Sequence, residues 1–307
     1  MLPGPGLRAV GYPPPVPAPS PHATGVGGDG PVVPDAAVPA DRDAVREAVL
    51  RWYGDVARDL PWRRTDDPYA ILVSEVMLQQ TQVARVVPRF EAWIDRWGTP
   101  HALAAAPRRD VLAAWVGLGY NSRAVRLQEA CAVVARDGWP TDARGLRALP
   151  GVGPYTAAAV ASFAFGERVA AVDTNVVRIA ERLGLGTPDE LLPDDDRAPT
   201  WNQAAMELGA TVCRARSADC PRCPAARWCR SAGRVVIPPR APRGTRTRFE
   251  DTDRFVRGRI VAALARDEAW PDAIDAVRIE RALDGLVRDG LVVRTADGPV
   301  LRDRAGD

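Results

Sequence analysis

The chain has 307 residues, of which 46% are hydrophobic and 26% charged, and its formal net charge is +2. This composition is that of a globular, water-soluble protein with one large or two modest domains, and it excludes a collagen-like or wholly disordered chain. All 41 basic residues are arginine. Chemistry that depends on a lysine amine is therefore closed to this protein.

Residues 1–40 differ from the rest of the chain in composition. They contain eleven prolines, seven glycines and almost no charge, which predicts a disordered tail outside the fold. No apolar segment of the kind found in signal peptides follows Arg8. The longest uncharged run, residues 148–166, is broken by prolines and glycines and does not suit a membrane span. We therefore expect a cytoplasmic protein with no membrane partner.

Helix signals dominate the remaining chain. Apolar residues recur at helical spacing, and short Gly/Pro turns separate the segments. The predicted helices cover residues 43–58, 68–83, 85–96, 108–116, 122–137, 142–148, 154–164, 174–183 and 199–212. Beyond Pro242 the pattern predicts helices over 253–265 and 277–289, then a hairpin around an Asp-Gly turn. The fold class is therefore all-α, with a small winged-helix-like C-terminal segment.

Four cysteines lie close together with the spacing C-x6-C-x2-C-x5-C: Cys213, Cys220, Cys223 and Cys229. Thiols this near in sequence bind a metal or pair as disulfides. Zinc ribbons usually use two short knuckles, whereas this pattern has one knuckle flanked by wider gaps. We therefore expect four thiolate ligands of a 4Fe–4S cluster, with zinc and disulfides as the alternatives. The fifth cysteine, Cys131, is predicted to be a small buried hydrophobic residue.

Positive charge is concentrated around these cysteines. Between Cys213 and Arg248 there are ten arginines and a single acid, Asp219. Such an asymmetry in a nearly neutral chain favours an anionic partner such as a phosphate backbone. The alternative is that the arginines offset the negative charge of the cluster itself.

A glycine-rich turn is predicted at residues 149–157, LPGVGPYTA. Gly151 and Gly153 allow a tight turn between two helices, and Pro154 starts the second helix. The free amides at that helix start suit a phosphate group, and such a contact would position DNA without reading its sequence. The alternative is a plain helix–helix connection.

Two carboxylates stand out. Glu75 falls within the apolar arc of its predicted helix, where burial favours the protonated form and suits a proton donor; the alternative is an ion pair with an arginine. Asp173 follows an apolar run and precedes a helix, so it is either a simple N-cap or a second carboxylate that stabilises a developing cation. Two carboxylates in opposite protonation states are what cleavage of a glycosidic bond needs.

These motifs, in this order, resemble the helix-hairpin-helix base-excision DNA glycosylases, and most closely their adenine DNA glycosylase family. The resemblance covers residues 43–232. Its motifs are LPWR at 60–63, SEVMLQQTQV at 74–83, GLGY at 117–120, LPGVGPYTA at 149–157, VDTNV at 172–176, WNQAAMELGA at 201–210 and the cysteine loop.

The resemblance implies a reaction and its residues. Glu75 would protonate N7 of an adenine paired with 8-oxoguanine or guanine, and later handle the water. Asp173 would stabilise the oxocarbenium-like sugar or bond to it transiently, Tyr155 would assist at the sugar, and Asn175 would hold the catalytic carboxylates. The residues implied to contact the flipped adenine or the base stack are Trp62, Arg63, Leu78, Gln80 and Tyr120. Those implied to bind the DNA backbone are Gly151, Val152, Gly153 and Thr156.

The resemblance also sets the expected organisation. The glycosylase core would span 41–235, with a six-helix domain at about 66–168 and a cluster domain formed by 41–65 and 169–235. A basic linker, 236–252, would lead to the winged-helix-like segment at 253–307. The expected partner is duplex DNA carrying an A:8-oxoguanine or A:G mispair, bound by a monomer in the bacterial cytoplasm near the nucleoid.

Relatives that also cut the DNA strand use a lysine just after the hairpin glycines. Tyr155 stands at that position here, and the chain has no lysine. We therefore expect a monofunctional glycosylase that leaves an abasic site.

Three departures from the family pattern bear on this expectation. Thr174 replaces a glycine between the Asp and Asn of the family motif, and Asn121 stands where a second tyrosine is frequent. About 75 residues follow the cysteines, too few for the hydrolase-like domain that reads 8-oxoguanine in many family members. The winged-helix-like segment would have to substitute for it, or the preference for 8-oxoguanine would be weaker.

Two other functions fit parts of the pattern. A thymine–guanine mismatch glycosylase shares the same scaffold, although the QQTQ and WNQA motifs favour adenine. A non-enzymatic iron–sulfur DNA-binding regulator would need neither Glu75 nor Asp173.

Overall fold

The computed structural model describes residues 41–237, 247–266 and 268–303. The predicted N-terminal tail and most of the predicted basic linker lie outside these residues. The described chain is mostly helical, which confirms the predicted all-α class, and its C-terminal part has the predicted order of helix, helix and hairpin. No described helix combines the length and hydrophobicity needed to cross a lipid bilayer.

Helices account for most of the described elements. The first six in chain order are α1 (Arg42–Val56), α2 (Pro68–Leu78), α3 (Val83–Arg96), α4 (Pro100–Ala105), α5 (Arg108–Trp115) and α6 (Ser122–Asp137). The next are α7 (Ala143–Leu146), α8 (Pro154–Phe165), α9 (Thr174–Leu183) and α10 (Ala198–Thr211). They are followed by the strands β1 (Cys213–Arg214) and β2 (Ser217–Ala218), helices α11 (Asp253–Arg266) and α12 (Ala276–Arg288), and strands β3 (Val292–Thr295) and β4 (Gly298–Leu301).

The chain forms two compact units. Of the described residues, the first unit comprises 41–66 and 158–237, and the second comprises 67–157, 247–266 and 268–303. The chain passes from the second unit to the first within α8. The predicted domain boundaries remain predictions.

In the first unit, α10 packs against both α1 and α9. Helix α9 buries Val176, Ile179, Ala180 and Leu183, a spacing that places one apolar stripe on the core. It ends at Gly184, whose φ of +69° is the left-handed conformation that terminates many helices. The stripe therefore fixes the start of α9, where Asp173 lies, against a rigid core.

In the second unit, α2 is buried along nearly its whole length, from Tyr69 to Met77. Because almost every side of the helix faces other residues, its apolar sequence reflects a central position, not a single apolar face. Helices α4 and α5 pack on α6, and α11 packs on α5 and α12. Strands β3 and β4 pair in antiparallel register, with Val292 opposite Leu301.

Several predicted element bounds were wrong. Helix α2 ends at Leu78 instead of reaching residue 83, because Gln80 adopts a left-handed backbone conformation with φ +55° that a helix does not permit. The short helix α4 and the two-residue strands β1 and β2 were not predicted. These elements have two to six residues, which is too short for periodicity alone to indicate a helix or strand.

Candidate active-site and DNA-binding residues

Asp173 is the N-cap of α9 in the first unit. Its Oδ1 accepts hydrogen bonds from the backbone N–H groups of Asn175 and Val176, both at 2.8 Å. Its Oδ2 accepts a third bond from the Asn175 side-chain amide at 2.7 Å. Three N–H donors hold this carboxylate in one orientation at the positive end of the helix dipole. Asp173 thus caps α9, one of the two roles expected for it. The same hydrogen bonds hold its carboxylate in a fixed orientation.

Asn175 in turn is held by Arg178, which the sequence did not single out. Arg178 donates to Asn175 Oδ1 at 2.6 Å, to the Gly209 carbonyl at 2.9 Å and to the Cys213 carbonyl at 2.9 Å. A Cβ on Gly209 would lie 2.5 Å from the Asn175 Cβ, so only glycine lets α10 approach α9 this closely. Hydrogen bonds therefore run from the cysteine loop through Arg178 and Asn175 to Asp173.

Trp62 and Arg63 lie in a 3₁₀ turn, Pro61–Arg63, also in the first unit. Trp62 is buried, with 8% of its surface exposed. Arg63 donates to Glu207 Oε2 at 2.8 Å, and Arg58 binds both oxygens of the same carboxylate, at 2.6 and 3.0 Å. Burial acts to raise the pKa of Glu207, but the hydrogen bonds from the two arginines outweigh it and hold that pKa below its usual value. Arg63 thus forms a buried ion pair with Glu207, a residue that was not singled out from the sequence.

The four cysteines of the loop line one cavity in the first unit, together with Arg182 and Val212. Cys213, Cys223 and Cys229 pack against the hydrophobic core. Arg182 donates to Cys213 Sγ at 3.3 Å and to the carbonyl of Arg214 at 2.9 Å, which fastens the loop to α9. None of the five cysteines of the chain forms a disulfide, and Cys131 is fully buried, as predicted.

The chemistry of this cavity suits a positively charged group held by thiolates. Burial and, secondarily, the neighbouring cysteines raise the pKa of Cys223 to about 11. Four thiolates so near one another repel, and iron ions would compensate that charge. In the part of the chain that the structure describes, no three His, Cys, Asp or Glu side chains are placed to share a single ion.

Glu75 lies in the second unit, on α2, and 6% of its surface is exposed. The residues before and after it on the helix, from Tyr69 to Met77, are also buried. The expected burial of this carboxyl group is thus observed. Such an environment disfavours the charged form of a carboxyl group unless its partners compensate.

Gln80 and Tyr120 share an unusual backbone. They have φ values of +55° and +49°, and among the described residues they are the only ones other than glycine with positive φ. This conformation costs free energy for residues with a Cβ and recurs at functional sites. Both side chains are exposed, and Tyr120 retains 44% of its surface. Leu78, at the end of α2, is half-buried.

Arg123 of α6 fastens both of these turns in the second unit. One nitrogen donates to the carbonyls of Val76 and Gln79, at 2.6 and 2.8 Å. The other donates to Leu118 and Gly119, at 3.0 and 2.9 Å. Burial and, secondarily, the nearby charge of Arg254 lower the pKa of Arg123 to about 10. No sequence pattern marked Arg123, since its partners are backbone carbonyls, two of which are more than 40 positions away.

The two glycines of the turn at residues 149–157 differ in backbone conformation and in the space around them. Gly151 has φ +73°, and a Cβ there would lie 2.6 Å from the Arg126 Cβ, so the fold itself requires glycine. Gly153 has no positive φ, and a Cβ there would meet nothing within 4 Å. Gly153 is half-buried, and the space beside its Cα is open to an approaching group. Val152 and Thr156 are buried, and Thr156 Oγ1 accepts a 3.4 Å bond from Gln79, while Tyr155 is half-buried.

Comparison with known proteins identifies the fold and family. Residues 73–196 match the HhH-GPD superfamily of base excision DNA repair proteins. The adenine DNA glycosylase of Mycolicibacterium smegmatis is 47% identical over 281 residues, which cover 81% of this chain and 93% of that protein. The alignment thus spans nearly all of that relative.

Solved structures give the same fold. A thermostable thymine-DNA glycosylase superposes with a TM-score of 0.59 at 28% identity, covering 63% of this chain and 97% of that one. An endonuclease III trapped in a covalent intermediate with DNA superposes with a TM-score of 0.54 at 27% identity, covering 62% of this chain and 95% of that one. The predicted resemblance is confirmed: this chain belongs to the adenine DNA glycosylase family of the HhH-GPD base-excision repair superfamily.

Proposed function

We propose that this protein hydrolyses the N-glycosidic bond of adenine opposite 8-oxoguanine or guanine in duplex DNA and leaves an abasic site. The family assignment supports adenine as the base. The observation that carries the mechanism is the pair of carboxylates in opposite environments. Glu75 is buried in an apolar helix, and Asp173 is held by three N–H donors at a helix start.

The proposed reaction begins when the adenine leaves the base stack. Glu75, protonated, donates its proton to N7 of the adenine, so that the base departs with the electrons of the C1′–N9 bond and becomes neutral adenine. The sugar is left as an oxocarbenium-like cation, which the charged Asp173 stabilises. Glu75, now a carboxylate, accepts a proton from the water that adds to C1′, which restores the acid and completes the hydrolysis.

Arg178 and Asn175 give Asp173 its orientation. Asn175 donates to both carboxylate oxygens, from its backbone N–H and from its side-chain amide, and Arg178 holds the Asn175 side chain in place. Little reorganisation is therefore needed as positive charge develops. In this proposal Tyr155 assists at the sugar and Trp62 and Arg63 contact the adenine. Arg63 would do so while it remains bound to Glu207.

Binding of DNA would use the second unit. Gly153 offers an open backbone at the start of α8, where amides suit a phosphate. Gln80 and Tyr120 are exposed on strained turns and would enter the base stack, with Leu78 beside Gln80.

The same proposal assigns a 4Fe–4S cluster to Cys213, Cys220, Cys223 and Cys229. When bound, the cluster supplies the positive charge that four adjacent thiolates need and shapes the arginine-rich loop around it. Purified protein is expected to contain iron and inorganic sulfide in equal amounts, with broad visible absorption. Zinc without iron would contradict this assignment.

The substrate is tested by single-turnover reactions on duplexes with A opposite 8-oxoguanine, A opposite G and T opposite G. Adenine release, fastest from the 8-oxoguanine duplex, supports the proposal and shows that the short C-terminal segment suffices. Release from the T:G duplex alone would assign to this chain the activity of the thermostable thymine-DNA glycosylase that shares its fold. Binding without release from any duplex would favour a DNA-binding regulator.

A further inference from the structure

The C-terminal segment reaches a residue of the proposed DNA surface within the second unit. The guanidinium carbon of Arg254, in the first turn of α11, lies 4.2 Å from the ring centroid of Tyr120. Arg254 also donates to the Tyr120 hydroxyl at 3.3 Å. Its Nη2 would lie 3.0 Å from a Cβ placed on Gly119, so the guanidinium also covers the backbone before the tyrosine.

Helix α11 is held firmly enough to give Arg254 a fixed position. Val256, Ile260 and Val261 are buried, and α11 packs along α5. At the far end of α11, Arg266 donates to the Ala113 carbonyl at 2.9 and 2.6 Å, while Arg109 of α5 donates to the Ala265 carbonyl. The contact with Tyr120 is therefore one end of a continuous helix–helix interface.

Arg254 differs from four other arginines of this segment. Arg257, Arg259, Arg281 and Arg294 each form an ion pair with an acid of the same segment. Within the described residues, Arg254 has no acidic partner, and its contacts are with the ring and hydroxyl of Tyr120. Arg123 lies on the same ring, 5.7 Å from its centroid. Two cations thus converge on one exposed tyrosine with no acid to neutralise Arg254, an arrangement that favours a nearby anion.

We propose that Arg254 is a positioning residue for Tyr120 and that the C-terminal segment takes part in mispair recognition through it. This inference rests on the proposed function and adds to that function the contribution of the C-terminal segment. A tyrosine with positive φ and an exposed ring has several side-chain orientations open to it. Stacking against the planar guanidinium selects one of them before DNA binds, which lowers the entropy that binding must remove.

The test is a double-mutant cycle in the full-length protein. Affinity for a duplex with A opposite 8-oxoguanine is measured for wild type, Arg254→Ala, Tyr120→Ala and the double variant, with Arg259→Ala as the control. Arg259 lies on the same helix and pairs only weakly, at 3.9 Å, with Glu268. We expect Arg254→Ala to weaken binding roughly three- to tenfold, and the double variant to bind no more weakly than Tyr120→Ala.

Two outcomes would overturn the inference. In one, Arg254→Ala binds as tightly as Arg259→Ala, which would mean that the contact has no role. In the other, the losses from Arg254→Ala and Tyr120→Ala multiply, which would mean that Arg254 acts directly on DNA and not through Tyr120. Because the cycle measures affinity for the duplex and not a reaction rate, its outcome does not depend on whether the protein releases adenine. Adenine release by wild type from the same duplex separately tests the proposed function.

Discussion

The two candidate catalytic carboxylates show opposite ways of building an acidic side chain into a fold. Asp173 lies at a helix start, where backbone and side-chain N–H groups surround its charge. Glu75 lies in the middle of a helix that is buried along nearly its whole length. An aspartate at a helix start has a structural explanation in capping, whereas a buried glutamate needs compensating partners, a catalytic role or both. Glu207, which is buried and paired with Arg58 and Arg63, shows that burial alone does not identify a catalytic acid. The comparison teaches that each carboxylate needs its own functional test.

The largest expected effect is that of Glu75→Gln. Glutamine keeps the size of the side chain and removes the transferable proton, so the rate of adenine release is expected to fall roughly 10²- to 10⁴-fold. Single-turnover kinetics measure the rate, and a binding assay on the same duplex is expected to show unchanged affinity. A variant that retains more than a tenth of the wild-type rate would remove Glu75 from the role of acid.

Asp173→Asn separates capping from catalysis. Removing the charge is expected to slow adenine release roughly 10²-fold or more, because the cation on the sugar loses its counter-charge. The matched control is Asp275→Asn at the start of α12, where the aspartate accepts from the N–H groups of Val277 and Arg278 at 3.0 and 3.2 Å. Both variants should melt at similar temperatures, since an asparagine still caps a helix. Equal activity of the two variants would reduce Asp173 to a structural cap.

Glu207→Gln tests the ion pair that holds Arg63. Glu207 is 1% exposed at its side chain, and its replacement leaves Arg58 and Arg63 without a counter-charge. We expect a loss of about 3 kcal/mol in the free energy of unfolding, measured by urea denaturation.

The pH dependence of that loss has a definite sign. The pKa of Glu207 is lower in the folded protein than in the unfolded chain. Its contribution to stability is therefore complete above the unfolded pKa and is lost as pH falls through the folded value. The difference between wild type and Glu207→Gln should shrink on acidification below about pH 4. A difference that stays constant with pH would mean that the glutamate is not charged in the native state.

The smallest effects are expected from Gly151→Ala and Gly153→Ala. Comparing the two variants separates a glycine that the fold requires from one that DNA binding requires. Alanine at 151 meets a left-handed backbone and the Arg126 side chain, so stability should fall by about 1–2 kcal/mol. Alanine at 153 meets open space, so stability should be unchanged while affinity for duplex DNA falls several-fold. If Gly153→Ala binds DNA as wild type does, the proposed phosphate contact at that backbone is wrong.

The sequence predicted what depends on local pattern. Residues close together in the chain were enough to predict most of the helices, the glycine turn, the grouping of the four loop cysteines and the burial of Glu75. It did not predict the end of α2 at Leu78, because the left-handed Gln80 is stabilised by Arg123, 43 positions further along the chain. Arg178, Arg254 and Glu207 were missed for a similar reason, since each has a partner distant in sequence: the Cys213 carbonyl, the Tyr120 ring and the Arg63 side chain, respectively.

The most direct test of the central claim is to identify the products of one turnover. Wild-type protein is incubated in excess with a duplex carrying A opposite 8-oxoguanine, and free base and strand breaks are measured with and without alkali. The account predicts one free adenine per duplex and strand breaks only after alkali, because no lysine is present to form a Schiff base. Strand breaks that keep pace with base release in the absence of alkali, or no adenine released at all, would contradict it.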